Sequence, residues 1–212
     1  GDDAHPGLIE RLGGDAIVGV ALRAVRLIAR QFVLGETIQS AMSRAQDVRS
    51  THPAFRYSYD MLGEGARTAD AAHAYIEHYV EAIDALAAHG DTAQPPEDRD
   101  GISIKLSALY PRYEDVQHGR VMRELAPRVW RLCERAARAN VNITIDAEES
   151  ERLELALDVF EALAVRVAGE HPSWTGLGLA VQAYQTRALD AVAHVIALAR
   201  RHRLRLMVRL AK

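Results

Sequence analysis

The sequence is short of the features that announce several common classes of protein. It holds one cysteine in 212 residues, so no internal disulfide can form and a reducing compartment suits it. Cys133 stands beside Leu132, Ala136 and Ala137 in a helical pattern, the setting of a buried structural thiol rather than a reactive one. Long apolar runs are missing too: the longest, Ala16 to Leu22, stops at Arg23, far short of a bilayer span. No charged leader with an apolar segment and cleavage site opens the chain, and a cytoplasmic location is the expectation. An excess of one charge is absent as well. The formal net charge is -3 at pH 7, which leaves no bulk basic field to attract nucleic acid or an anionic membrane. The nine histidines include no metal-like pair on adjacent strands and no His-Glu-x-x-His, so no metal is expected. Gly176-Leu-Gly178 precedes a strand instead of opening a helix and lacks the context of a dinucleotide fingerprint.

What is present is an alternation of strands and helices. A chain that is 49% hydrophobic and 26% charged can bury one sizeable core. Apolar residues recur at helical spacing from Asp15 to Phe32, and a second helical stretch follows from Glu36 to about Arg49. Residues 1–52 are therefore expected to form a helical lead-in and 53–212 a β/α unit. Within the latter, strands are predicted at Arg56–Met61, Gly101–Ser107, Asn142–Glu148, Leu177–Ala183 and Arg205–Lys212, with helices over 68–89, 118–139, 150–168 and 186–202. Spacings of a few tens of residues suit right-handed parallel crossovers and exclude hairpins. The polar, proline-bearing stretch His89 to Asp98 reads as a loop, and Pro127 should kink its helix or mark a boundary. Tyr75, Tyr79 and Trp130 at helical positions read as packing residues.

Strand parity carries the functional signal, because alternate side chains face opposite sides of a sheet. One parity is large and apolar: Tyr57, Tyr59, Met61; Ile102, Ile104, Leu106; Ile143, Ile145; Leu177, Leu179, Val181; Leu206, Val208, Leu210. The other is small or polar, and late in the five successive strands it carries Asp60, Lys105, Asp146, Gln182 and Arg209. A sheet covered by helices on both faces reads apolar on both parities. A barrel with a polar interior toward its mouth reads as this one does, and its chemistry sits at the carboxyl ends of the strands. Lys105 and Asp146 alone fit a structural ion pair, since either charge left unpaired inside the barrel would cost several kcal/mol. Arg209 cannot shed its proton and must face an anion or an electron-rich ligand. The glycine-bearing loop Asp60-Met-Leu-Gly-Glu64-Gly65 fits an ordinary turn or part of a site equally.

Five ordered motifs carry a resemblance: Tyr57-Ser-Tyr-Asp-Met-Leu-Gly-Glu64; Ile102-Ser-Ile-Lys-Leu-Ser-Ala-Leu109 with Pro111-Arg-Tyr113; Ile145-Asp-Ala-Glu-Glu149 with Arg152-Leu-Glu154; Val181-Gln-Ala-Tyr-Gln185; and Met207-Val-Arg-Leu210. Together they resemble the proline dehydrogenase domain of the bifunctional proline utilization A flavoenzymes. Gly65, Tyr110 and Ala211 depart from the family's usual alanine, histidine and valine. The resemblance implies a (β/α)8 TIM-barrel-type fold, here its first five strands, and FAD-dependent oxidation of L-proline to Δ1-pyrroline-5-carboxylate with electrons passed to a quinone. It implies that Asp146, Gln182, Arg209 and Lys212 contact the FAD, that Asp60 and Lys105 line the proline pocket, and that Glu64 belongs to its entrance. Peripheral membrane association of the parent and a homo-oligomer are compatible with it. It further implies that the 212 residues are a fragment lacking the arginines that grip the proline carboxylate, inactive alone. Two other readings remain at this point: a barrel lyase or aldolase with a Schiff base on Lys105, and a non-catalytic assembly piece.

Overall fold

A computed structural model describes residues 18–19, 33–90 and 93–212. The chain divides into two compact units between Phe55 and Arg56. The predicted helix from Asp15 to Phe32 lies almost wholly outside the described residues. In the first unit, α1 (Ile38–Thr51) begins where expected. Thr37 caps it in the β region, its hydroxyl accepting from the Ser40 amide at 3.2 Å while the Ser40 hydroxyl accepts from the Thr37 amide at 3.0 Å.

The second unit is a β/α succession: β1 (Ser58–Asp60), α2 (Ala69–His89), β2 (Gly101–Ile104), α3 (Leu106–Leu109), α4 (His118–Arg138), β3 (Asn142–Ile145), α5 (Leu153–Glu170), β4 (Leu177–Gln182), α6 (Ala188–His202) and β5 (Met207–Ala211). All four strand pairings are parallel and follow chain order, β1-β2-β3-β4-β5. Register explains the apolar parity. Tyr59, Ile102, Ile143 and Leu177 form one cross-strand row, and Ile104, Ile145, Leu179 and Val208 the next. Ile102, Ile104, Ile143, Ile145 and Leu177 are fully buried beneath the helices, together with Leu125, Val129 and Cys133 of α4 and Leu155, Val159 and Phe160 of α5. Each such aliphatic side chain contributes roughly 1.5–3 kcal/mol by leaving water. On β5 the same parity is open: Val208 is 39% and Leu210 63% exposed.

Three sequence expectations are corrected. The second strand ends at Ile104, and Lys105 caps α3, a helical turn that holds Leu106 to Leu109. Ser107 and Leu106 are thus helical, so the even-odd rule stops applying one residue before the lysine it was used to place. The third strand likewise ends at Ile145 and leaves Asp146 and Glu148 on the following loop. Finally, α4 runs through Pro127 without a boundary, buried residues continuing on both sides from Leu125 to Ala136.

Candidate active site

Asp60 ends β1, Lys105 follows β2, Asp146 follows β3 and Arg209 lies within β5, and the four side chains form one chain of contacts at the carboxyl ends of the strands. Lys105 Nζ donates to Asp60 Oδ1 and lies 3.5 Å from Asp146 Oδ2. Arg209 Nη2 donates to Asp146 Oδ1. The other terminal nitrogen, Nη1, donates to Ser103 Oγ at 2.8 Å and Ser58 Oγ at 3.2 Å. An arginine on the fifth strand thus reaches a serine on the first, which requires the sheet to curl with this parity on its concave side.

The surroundings shift the protons in definite directions. Burial pulls the Lys105 ammonium down, but the hydrogen bond to Asp60 and the charges of Asp60 and Asp146 outweigh it and hold its pKa above the ordinary lysine value. Burial raises the Asp146 carboxyl pKa, the Arg209 and Lys105 cations opposing the rise. Burial likewise raises Glu148, whose Oε1 accepts the Ser107 amide at 3.1 Å and whose Oε2 faces Arg152 at 3.5 Å. Tyr79 had been read as packing and is fully buried, yet its hydroxyl also accepts the Lys105 amide at 3.2 Å. That contact fixes the backbone where β2 turns into α3. No sequence pattern marks it, since a buried tyrosine on a helix looks like any other core residue.

The remaining candidates stand apart from the four-residue network. Gln182, at the end of β4, lines a cleft with Asp146, Glu148, Tyr113, Arg152 and Gln185, and its side-chain oxygen accepts from the Gln185 amide. Glu64 is exposed on the loop between β1 and α2. This loop is shaped by Gly63 at φ +126°, where an added Cβ would lie 2.2 Å from the Tyr75 hydroxyl, and it is tied down by Gly65 N donating to Ser107 Oγ at 3.1 Å. Lys212 is exposed after β5. Among the described residues no group of three or more His, Cys, Asp or Glu is arranged to hold a metal ion. No described helix is long and apolar enough to cross a membrane.

Residues 41–212 match the family model described as Proline dehydrogenase. The chain belongs to the proline dehydrogenase family. It is 47% identical over 189 residues to the Bifunctional protein PutA of Escherichia coli, an alignment covering 89% of this chain and 14% of that protein. To the protein of the same name from Rhizobium meliloti it is 44% identical over 208 residues, 97% of this chain and 16% of that one. The chain therefore spans about a seventh of the length of these curated relatives. Among solved structures, a proline utilization A variant from Bradyrhizobium japonicum superposes with a TM-score of 0.75 at 47% identity, over 97% of this chain and 20% of that one. Proline utilization A from Bdellovibrio bacteriovorus, inactivated by N-propargylglycine, shares the fold with a TM-score of 0.80 at 22% identity. The five parallel strands are the β/α arrangement of this family, as the motifs implied.

Proposed function

We propose that the concave face of this sheet is the flavin and proline site of an FAD-dependent proline dehydrogenase. The observation that carries the reading is the contact chain Asp60–Lys105–Asp146–Arg209, assembled from four strands at the end where barrel enzymes place their chemistry. The donor set fits a flavin, whose ring is tuned by a nearby cation and by hydrogen bonds to its nitrogens and carbonyl oxygens. Arg209 offers a cation 40% exposed toward the mouth, with Gln182 on the same rim and Lys212 beyond it. When bound, FAD supplies the two-electron acceptor for the ring carbon of L-proline next to nitrogen, giving Δ1-pyrroline-5-carboxylate.

This chain's own residues supply part of the surroundings, and the chain alone is expected to be inactive. Asp60 and Lys105 line the proline side, where the carboxylate of Asp60 receives a cationic group and the ammonium of Lys105 an anionic one. Asp146 balances two cations and keeps both in place. Glu64, on its exposed loop, stands at the approach. Electrons leave for a quinone, which makes peripheral contact of the parent protein with a membrane part of the reading; a homo-oligomer is compatible with it. A Schiff base on Lys105 fits poorly. Such a lysine must lose its proton to act as a nucleophile, whereas Asp60 and Asp146 hold this one protonated.

The test is binding. Titrating the chain with FAD should quench flavin fluorescence saturably, and Arg209→Met should weaken the affinity by about tenfold or more, the worth of a hydrogen bond from a charged donor. Absence of saturable binding in the folded wild-type chain would remove the reading.

A further inference from the structure

Two serines that nothing above assigns a role complete the arginine's environment. Ser58 lies on β1 and Ser103 on β2, both on the concave parity, and their hydroxyl oxygens are 2.9 Å apart. Ser103 is 1% exposed. Both face Arg209 Nη1, at 3.2 and 2.8 Å. A guanidinium carries five N–H groups in a fixed plane. Here Nη1 donates to both serines and Nη2 to Asp146, so both terminal nitrogens are engaged.

The geometry distinguishes this from an ordinary ion pair. The contact to Asp146 alone is a single Nη2 to Oδ1 bond, about which the guanidinium could pivot. A second anchor at Nη1, supplied by two neighbouring strands, removes that freedom and fixes the plane of the group. The Nε–H and the second Nη2–H are then left with set directions and, among the described residues, no acceptor takes them. The anchor is also neutral. Its hydroxyls hold the cation without cancelling its charge, which a second carboxylate in their place would do.

We propose that Ser58 and Ser103 form a paired-hydroxyl seat for the Arg209 guanidinium, making them positioning residues that aim its two remaining donors at an electron-rich ring bound in the concave face. The identity of that ring rests on the flavin reading above, while the seat itself does not.

The experiment is 15N NMR of the Arg209 guanidinium in the full chain, assigned by loss of its signals in Arg209→Met. In the wild type, rotation about the Cζ–N bonds should be slow. Both Ser103→Ala and Ser58→Ala should speed it by about tenfold or more, in line with the loss of a hydrogen bond from a charged donor. Ser103→Thr, which keeps the hydroxyl, should restore the slow rate. Ser58→Ala, at a strand residue open to solvent, serves if the buried replacement at Ser103 unfolds the chain. Free rotation in the folded wild type, or rates unchanged by either alanine, would overturn the proposal. FAD titration of the same samples separates the two ideas. A slow, serine-dependent guanidinium without FAD binding upholds the seat and rejects the flavin; FAD binding with a freely rotating guanidinium does the reverse.

Discussion

Two arginines stand at the two ends of the sheet, and their hydrogen bonds go to different kinds of partner. Arg99, before the amino end of β2, is 7% exposed and donates from Nη1 to the backbone carbonyls of Ala139 at 3.2 Å and Asn140 at 2.5 Å. Asn142 beside it donates to the carbonyls of Pro96 at 2.7 Å and Arg99 at 3.0 Å, and Trp174 to that of Val141 at 3.1 Å. At this end these side chains bond to main chain, which ties loops to strands. At the carboxyl end Arg209 donates to side chains, those of Ser58, Ser103 and Asp146, and is 40% exposed. The difference is one of capacity: charge buried against backbone stabilises the fold, whereas charge suspended among side chains remains available to a ligand.

That contrast can be broken most severely at the arginines themselves. Arg99→Met strips the Ala139 and Asn140 carbonyls of a buried donor and should destabilise the unit by about 3 kcal/mol in denaturant unfolding. Arg209→Met should cost about 1 kcal/mol there, because its surroundings admit water, while weakening the proposed FAD binding by about tenfold or more. Equal losses of stability would erase the distinction between the two ends.

Alkaline pH should sharpen it more gently, through the core the two ends share. Burial pushes the Cys133 thiol from 9.0 up to about 12. The folded state therefore binds more protons than the unfolded one between those values, and stability falls as pH rises through that window. Lys105 acts in the same sense above 10.5. Melting temperature should decline from pH 9 upward, and Cys133→Ala should flatten the early part of the decline. The smallest effect is expected at the exposed α4 pair of Arg138 with Glu134, where Arg138→Ala should change stability by less than about 0.5 kcal/mol.

How much of this was legible in the sequence follows the reach of each rule. Alternation along a strand is local, so the apolar residues Ile102, Ile104, Ile143 and Ile145 and the polar residues Asp60 and Arg209 could be sorted by parity before any coordinates. That the strands run parallel followed from connection lengths. Motif likeness supplied the family, which periodicity alone could not. Local rules failed where the chain leaves the strand: Lys105 reaches Asp60 from a helical cap rather than a pleat, and Tyr79 supports it from a helix that carries no polar signal. Gln182 lines the same cleft as Asp146, but its amide partner is Gln185, three residues on. The serine seat was invisible as a unit, since Ser58 and Ser103 read singly as small inward residues and acquire meaning only when a side chain from β5 crosses to them.

Everything at the carboxyl end depends on Arg209 meeting Asp146 across the concave face. A double-mutant cycle on unfolding free energy, with Asp146→Asn, Arg209→Gln and the pair together, measures that meeting directly. A coupling of about 1 kcal/mol or more is the predicted result for a partly buried, hydrogen-bonded charge pair. Strict additivity of the two substitutions, in chains that fold, would contradict the convergence from which the site was built.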